Sequence, residues 1–467
     1  MSKLTQNKSI IFLFLIAILS AFFFGLVTFA LVSMVGKHYI YLVALPAALL
    51  IGLIFFFSRT LFLLMVMVLR PSLDVAFESI KIGSIGLGGI LNVLMIVIAI
   101  LVYFEGNHQS KADTDGIKKA WLIFILLCFI SIFYTPVFSM GLKNLMTICS
   151  YAALFLIGVY SVNTENDFKK WIKVIAFSSL IPVVYGLISL ILGGGGLRYS
   201  VGEGYRLQST FPHPNPFAPY MVLMITICFY LYKSKILDTG SIIRKTLPLY
   251  IIVMIGLLVM TKTRSAWAAC FLLFLTYGFF LERKFLIFVF LAPLLALLHP
   301  DIQERLLDLT QGSDFGATGY GRLNSYAWRL KIWHDSISWM KPSHYIGGYG
   351  LAAFIHHSMD FAMANAFQKA TYEINAHNII VQTFFNLGLL GLLSFLYLIY
   401  TTSKALYKFY AQNKLLILIV FIAFAQFLLQ GYSDNIWDYL IFEWYFWFFI
   451  GITLSYCGVL KQKISKL

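Results

Sequence analysis

Residues 376–400 read AHNIIVQTFFNLGLLGLLSFLYLIY, an apolar run with no Lys, Arg, Asp or Glu, opened by His377 and Asn378 and punctuated by Gly388 and Gly391. A hydrocarbon core of about 30 Å takes about 20 apolar residues as a helix, the form that satisfies its own backbone in lipid. The stretch reads as a membrane span whose polar end is its start. Working outward, similar runs lie near 9–34, 39–57, 60–69, 84–104, 119–138, 143–162, 171–192, 217–232, 247–261, 265–281, 285–299, 415–430 and 439–458. The run 60–69 is too short to cross unaided, so the expectation is an all-α polytopic membrane protein of 12 to 14 transmembrane helices. Composition agrees: 60% of the 467 residues are hydrophobic and 12% charged, where soluble domains carry about 45–50% and about 25%.

The expected organisation is 1–299 as transmembrane helices with an outer loop at 193–216, 300–376 as an extracytoplasmic loop subdomain with short helices, and 377–467 as C-terminal transmembrane helices. The first run follows Lys3 and Lys8 without a small-residue cleavage site, so it reads as a retained helix. The five Cys fall in apolar segments or at a segment end and form no disulfide or metal pattern.

Lys and Arg accumulate in cytoplasmic loops. With both termini inside, 21 of the 35 cations are cytoplasmic, and three of these are Arg. The other face carries seven: Arg70, Arg198, Arg206, Arg264, Arg305, Arg322 and Arg329. Lys suffices to set topology, whereas the planar fork of Arg binds phosphate in a bidentate manner. An Arg excess on the side that should be depleted points to an anionic ligand there, with snorkelling to headgroups as the alternative, above all for Arg70 and Arg305.

Three outer stretches carry candidate chemistry. In GGGGLRYSVGEGYRLQSTFPHPNPFAPY at 193–220, Asn215 is placed to cap a helix whose start would favour a phosphate, and Arg206 has no obvious acidic partner beyond Glu203. In GRLNSYAWRLKIWHDSI at 321–337, Arg322, Tyr326 and Arg329 share one helical face, with Leu330, Trp333 and Ile337 on another. This helix lies on headgroups, covers a cavity mouth with its Arg aimed at a diphosphate, or does both. The Gly-rich turn in KPSHYIGGYGLAAF at 341–354 would let backbone approach a sugar or phosphate. Arg264 stands between two spans, at the membrane rim. Asp434, Asp438 and Glu443 form an acidic group near the last span, suited to outer Arg or sugar hydroxyls. The outer acids Asp301, Glu304, Asp308, Asp314, Asp335, Asp360 and Glu373 single out no pair for a two-carboxylate glycosidase mechanism.

On four ordered pieces, RLQSTFPHPNPFA at 206–218, TKTRSAWAA at 261–269, GRLNSYAWRLKIW through GGYGLAAF at 321–354, and AHNIIVQTFFNLGLLG at 376–391, the chain resembles the superfamily of bacterial O-antigen ligases and Wzy-type repeat-unit polymerases. The resemblance implies an inner-membrane glycosyltransferase, multi-pass in the lipid bilayer, with its active site facing the periplasm or exterior and a role in lipopolysaccharide or other polysaccharide biosynthesis. Its donor would be a glycan on undecaprenyl diphosphate, and its acceptor a glycan or lipid A-core. A chain-length regulator and a flippase are the implied protein partners, and no nucleic acid is expected. His377, Asn378, Gly388 and Gly391 match the ligases' His-[Asn/Ser/Gln]-x9-Gly-x-x-Gly pattern, whose His is important. That pattern commonly continues Thr-Gly, where this chain has Leu392-Leu393, which favours the polymerase.

In this reading His377 is the catalytic residue, Arg206, Arg264, Arg322 and Arg329 bind the diphosphate, and Asn215, Tyr326 and Asn378 support them. A glycosyl diphosphate already has a good leaving group, so no cofactor or metal is expected, and a single displacement would invert the anomeric centre. A transporter or flippase, the competing class, would place ionisable groups near the midplane, where these spans have almost none. A non-catalytic scaffold would tolerate substitution of the Arg and His positions.

Overall fold

The computed structural model describes residues 52–79, 81–82, 85–106, 109–200, 204–238, 240–298, 303, 307, 323–364 and 374–464. Arg305, Arg322, Glu203 and most of the first two expected spans lie outside them. The chain divides into two compact units after Leu69. The first contains α1 (Arg59–Leu69), which buries Phe62, Leu63 and Met67.

Everything else belongs to the second unit. It opens with α2 (Asp74–Ser79), a short antiparallel hairpin of β1 (Lys81–Ile82) and β2 (Ile85–Gly86), α3 (Leu87–Glu105), α4 (Asp115–Ser131) and α5 (Phe138–Ser161). Next come α6 (Glu165–Ser178) and α7 (Leu180–Leu192), which together make one apolar span. A hairpin of β3 (Leu197–Ser200) and β4 (Gly204–Leu207) follows, pairing Arg198 with Arg206. The remainder is helical: α8 (Pro214–Lys233), α9 (Ile242–Met260), α10 (Arg264–Phe280), α11 (Leu286–Ala296), α12 (Ser325–Trp339), α13 (Ala353–Ala364), α14 (Ile379–Tyr407), α15 (Lys414–Ser433) and α16 (Leu440–Ile464).

Among the described residues, eight helices are long and apolar enough to cross a membrane. The protein is thus an all-α polytopic membrane protein. The lower number than the expected 12 to 14 arises where apolar runs form shorter helices, as in α1 and the 17-residue α10, and where runs fall outside the described residues.

Burial ranks the helices by depth. α16 and α8 are innermost, with 89% and 83% of their apolar windows buried, against 28% for α3 and α9, whose exposed Ile and Leu suit lipid. α16 contributes the fully buried Trp444, Tyr445 and Trp447. Its approach to α5 depends on a pair of small residues. A Cβ on Gly451 would stand 2.4 Å from the Phe155 carbonyl oxygen, and one on Gly158 would stand 2.7 Å from that of Phe448. Where lipid supplies no hydrophobic drive between helices, such close backbone packing is what holds them together.

α14 is broken in the middle. Gly388 has φ 64° and ψ −163°, in a region open essentially to Gly alone. The loop 345–350 completes the backbone pairing there. Tyr349 and Gly350 N–H donate to the carbonyls of Phe385 and Asn386 (3.0 and 2.7 Å), and Leu389 and Leu390 N–H donate to those of Tyr345 and Ile346 (2.8 and 3.1 Å). A Cβ on Gly388 would sit 2.3 Å from the Ile346 oxygen, and one on Gly348 would sit 2.4 Å from the Asn386 oxygen. The Gly-rich turn therefore receives the backbone of α14, which corrects the expectation that it serves a sugar or phosphate. The Gly run 193–196 has a similar local reason: a Cβ on Gly196 would meet Ser189 Oγ at 2.2 Å.

Candidate active site

The starts of α8, α10 and α12 and the end of α15 meet around one cavity of about 330 Å³. Its wall holds four cations, Arg206, Lys262, Arg264 and Arg329, and one carboxylate, Asp434. A helix start carries about half a positive charge and outward-pointing N–H groups. Asn215, Arg264 with Ser265, and Ser325 with Tyr326 each belong to the first turn of their helix. Three helix dipoles thus add to four cationic side chains, an environment suited to a polyanion.

The turn between α9 and α10 anchors this wall. Lys262 takes a left-handed backbone, φ 53°, so the chain reverses in three residues and Arg264 becomes the first residue of α10. Buried Arg206 reaches over from β4: Nε donates to the Thr261 carbonyl (2.9 Å), and Nη2 donates to Asn215 Oδ1 (2.8 Å) and Thr263 Oγ1 (3.1 Å). One guanidinium fixes the hairpin, the α9–α10 turn and the start of α8 to each other. Asn215 is not the cap of α8. His213 is, its Nδ1 accepting from the Asn215 N–H at 3.1 Å, because Pro214 rather than Pro216 opens the helix. The Asn215 side chain is thereby available to the site.

α12 supplies the opposite wall. Asn324 caps it, accepting from the N–H groups of Tyr326 and Ala327 (3.1 and 2.8 Å). Ser325 bridges two cations: its hydroxyl accepts from Arg264 Nη2, and its carbonyl accepts from Arg329 Nη1 at 2.8 Å. Arg329 Nε is buried and makes no hydrogen bond among the described residues. Tyr326 and Tyr432 of α15 both line the cavity. Trp333, expected on the face away from Tyr326 and Arg329, lines the cavity with them. Its indole N–H donates to the Ala376 carbonyl at 2.7 Å, which ties α12 to the loop carrying His377.

His377 stands next to the cavity and is joined to it through Asp434. Its Nδ1 lies 2.6 Å from Asp434 Oδ1, its ring centre is 5.6 Å from that of Trp328, and its φ is 48°. A left-handed backbone at a non-Gly residue costs about 1–3 kcal/mol and persists where surrounding contacts enforce it. Here Trp333 holds the preceding carbonyl, and Asn378 holds the following turn. Asn378 Oδ1 caps α14 by accepting from Ile380 and Val381 N–H (2.8 and 3.0 Å), while its amide donates to the Tyr432 carbonyl (3.0 Å).

The other Asp434 oxygen accepts from Asn215 Nδ2 at 3.1 Å and from the Tyr439 hydroxyl, and Oδ1 also accepts from the Asn435 N–H at 2.9 Å. Burial pushes this carboxyl upward, but the charge and hydrogen bond of His377, the charge of Arg329 and the Tyr439 hydroxyl outweigh it and hold Asp434 well below the usual carboxylate range. Burial, then Asp434 itself, pushes the Tyr439 phenol well above its usual value, so it remains a donor. An ionised Asp434 accepts from Nδ1–H, so that in the neutral form of the imidazole the lone pair is on Nε2. The His side chain is 28% exposed. A carboxylate-oriented imidazole of this kind can take a proton from a hydroxyl.

The structure thus gathers Arg206, Arg264, Arg329, Asn215, Tyr326, Asn378 and His377, while Arg322 lies outside the described residues. Asp434, Lys262 and Tyr439 join them. Sequence had named Asp434 only within a loose acidic group, and Lys262 and Tyr439 not at all as site residues. Arg70 departs from both of its readings. It is buried, ion-paired with Asp74 and set 4.8 Å from the Phe77 ring centre, so it neither snorkels nor awaits a ligand.

No curated protein matches the chain. A family model described as O-antigen ligase matches residues 249–396, a span that includes Arg264, Arg329, His377 and Gly388 and stops short of Asp434. Over these residues the chain is similar to the O-antigen ligase family.

Proposed function

We propose that this protein polymerises oligosaccharide repeat units carried on undecaprenyl diphosphate, at the outer face of the cytoplasmic membrane. One observation carries the reading: a cavity with four cations and three helix starts adjoins an imidazole held by an ionised carboxylate. The donor's diphosphate sits among Arg206, Lys262, Arg264 and Arg329, and sequence adds Arg322 to that group. Each charge-assisted hydrogen bond to it contributes about 1.5–3 kcal/mol, most where charge grows on the leaving diphosphate. The acceptor hydroxyl gives its proton to His377 Nε2 as its oxygen bonds to the anomeric carbon. The bond from that carbon to the diphosphate oxygen breaks, and the lipid diphosphate leaves with the electron pair. Asp434 stabilises the imidazolium, and Asn215, Tyr326 and Asn378 hold the parts in place. A single displacement inverts the anomeric centre, and product with retained configuration would count against it.

The orientation has support from the helix ends. Lys233, Lys408, Lys414 and Lys461 stand at the ends of α8, α14, α15 and α16 away from the cavity. With these Lys facing the cytoplasm, the C-terminal end of α16 is inside and the cavity opens outward. Ligation of the carried glycan to lipid A-core is the second reading, favoured by the description of the matching family model.

Deleting the gene in its host and complementing with wild type or His377→Ala separates the two. Single repeat units accumulating on the carrier, or capping the surface core singly, identify the polymerase. Full-length chains held on the carrier with none on lipid A-core identify the ligase. Units trapped on the cytoplasmic leaflet would refute both and favour a flippase.

A further inference from the structure

We infer that an apolar furrow along α10 and α15 seats the isoprenoid chain of the lipid diphosphate; the inference rests on the proposed reading of the cavity as a diphosphate site. A second cavity, of about 340 Å³, lies against the same two helices and the end of α14. Its volume falls in the range of small-ligand sites, about 300–1,000 Å³. Phe280, Leu418, Phe421 and Ile422 dominate its wall, and among the described residues Thr276 and the tyrosines at 407 and 410 bring its polar side-chain atoms.

The helical phase connects the two cavities. On α15, Leu418, Ile422, Ala425, Leu429 and Ser433 follow each other at three- and four-residue steps and so share one face. Leu429 and Ser433 line the cationic cavity, while Leu418, Ile422 and Ala425 line the apolar one. On α10, Ser265 belongs to the first cavity and Thr276 to the second. Eleven residues make about three full turns, so these two also share a face, about 16 Å apart along the axis. Behind this face the helices are locked at a fixed separation, since Gln426 Nε2 donates to the Ala269 carbonyl at 2.9 Å and its Oε1 accepts from Thr226 of α8 at 3.0 Å.

Ala425, small and exposed, stands on that face between the residues of the polar and apolar ends. A molecule with a diphosphate head and a long hydrocarbon tail fits both ends at once. A phospholipid acyl chain would fill the lower cavity alone. Because lipid is as apolar as the furrow, seating the chain there adds orientation more than affinity, and it aims the head at Arg264.

The test uses the full-length protein in nanodiscs with a polyprenyl diphosphate bearing a diazirine on its isoprenoid chain. Photolabelling is expected on 418–425 and 276–280, competed by undecaprenyl diphosphate and not by added phospholipid. Ala425→Trp should remove that label and weaken undecaprenyl diphosphate binding about tenfold while leaving inorganic diphosphate binding unchanged. Ile252→Trp, on the exposed side of α9, should do neither. Label spread over α3 and α9, or competed by phospholipid, would overturn the furrow while leaving the cavity's reading intact. A wild-type protein that binds no inorganic diphosphate would overturn the cavity's reading, and this inference with it.

Discussion

The two halves of one sequence pattern do different work. At one end of α14, His377 and Asn378 hold a strained turn against Asp434 and the cationic cavity. About three turns further on, Gly388 breaks the same helix to receive the loop 345–350. Both depart from ideal backbone, but only the first carries groups able to move a proton. The second fixes where the outer loop and α12 stand, and through Trp333 and Ala376 it bears on the first. The spacing from His to Gly thus joins a reacting group to the scaffold that aims it.

Substitutions can pull these roles apart. The largest effect is expected from Gly388→Ala, whose Cβ would stand 2.3 Å from a carbonyl oxygen at φ 64°. Strain and overpacking together cost about 2–6 kcal/mol, a large share of a typical stability of about 5–15 kcal/mol. The yield and melting temperature of the purified protein should both fall sharply. Next, His377→Ala should lower the transfer rate about 10²–10⁴-fold, with the melting temperature falling much less than in Gly388→Ala and about as far as in Asp434→Asn, since it removes the same pair. If it unfolds the protein instead, the contrast between the halves fails.

Asp434→Asn should slow transfer about ten- to hundredfold, as loss of one charge-assisted bond. Its folded pKa is depressed, so the stabilisation from ionised Asp434 is complete above the ordinary Asp value of about 3.9 and is lost as pH falls below it. Thermal melts of wild type and Asp434→Asn should therefore converge on acidification below about pH 4 and stay apart from pH 5 to 8. The smallest effect is expected from Asn378→Ala, which removes the cap of α14 and should cost about 1 kcal/mol of stability, read from the melting temperature.

Much of this is legible in the sequence. Apolar runs of spanning length announce the helices, since lipid permits little else. The outer Arg stood out because topology gives no reason for them, and three of the four site Arg fall within the described residues and line the cavity. What escaped was pairing across the chain. Asp434 lies 57 residues from His377, and a lone acid after a span carries no periodic signal. The Gly-rich turn at 347–350 resembled a ligand loop because its true partner, the break at Gly388, lies about 40 residues later. Asn215 and His213 could each cap α8, and Pro214 as first helical residue decided between them.

The most direct measurement compares purified wild type, His377→Ala and Asp434→Asn in nanodiscs. Lipid-linked repeat units from the deletion host serve as donor, with transfer and inorganic diphosphate binding read on the same preparations. The account predicts that all three bind diphosphate with similar affinity while transfer falls steeply in His377→Ala and less in Asp434→Asn. Undiminished transfer by His377→Ala, or loss of diphosphate binding in step with activity, would contradict it.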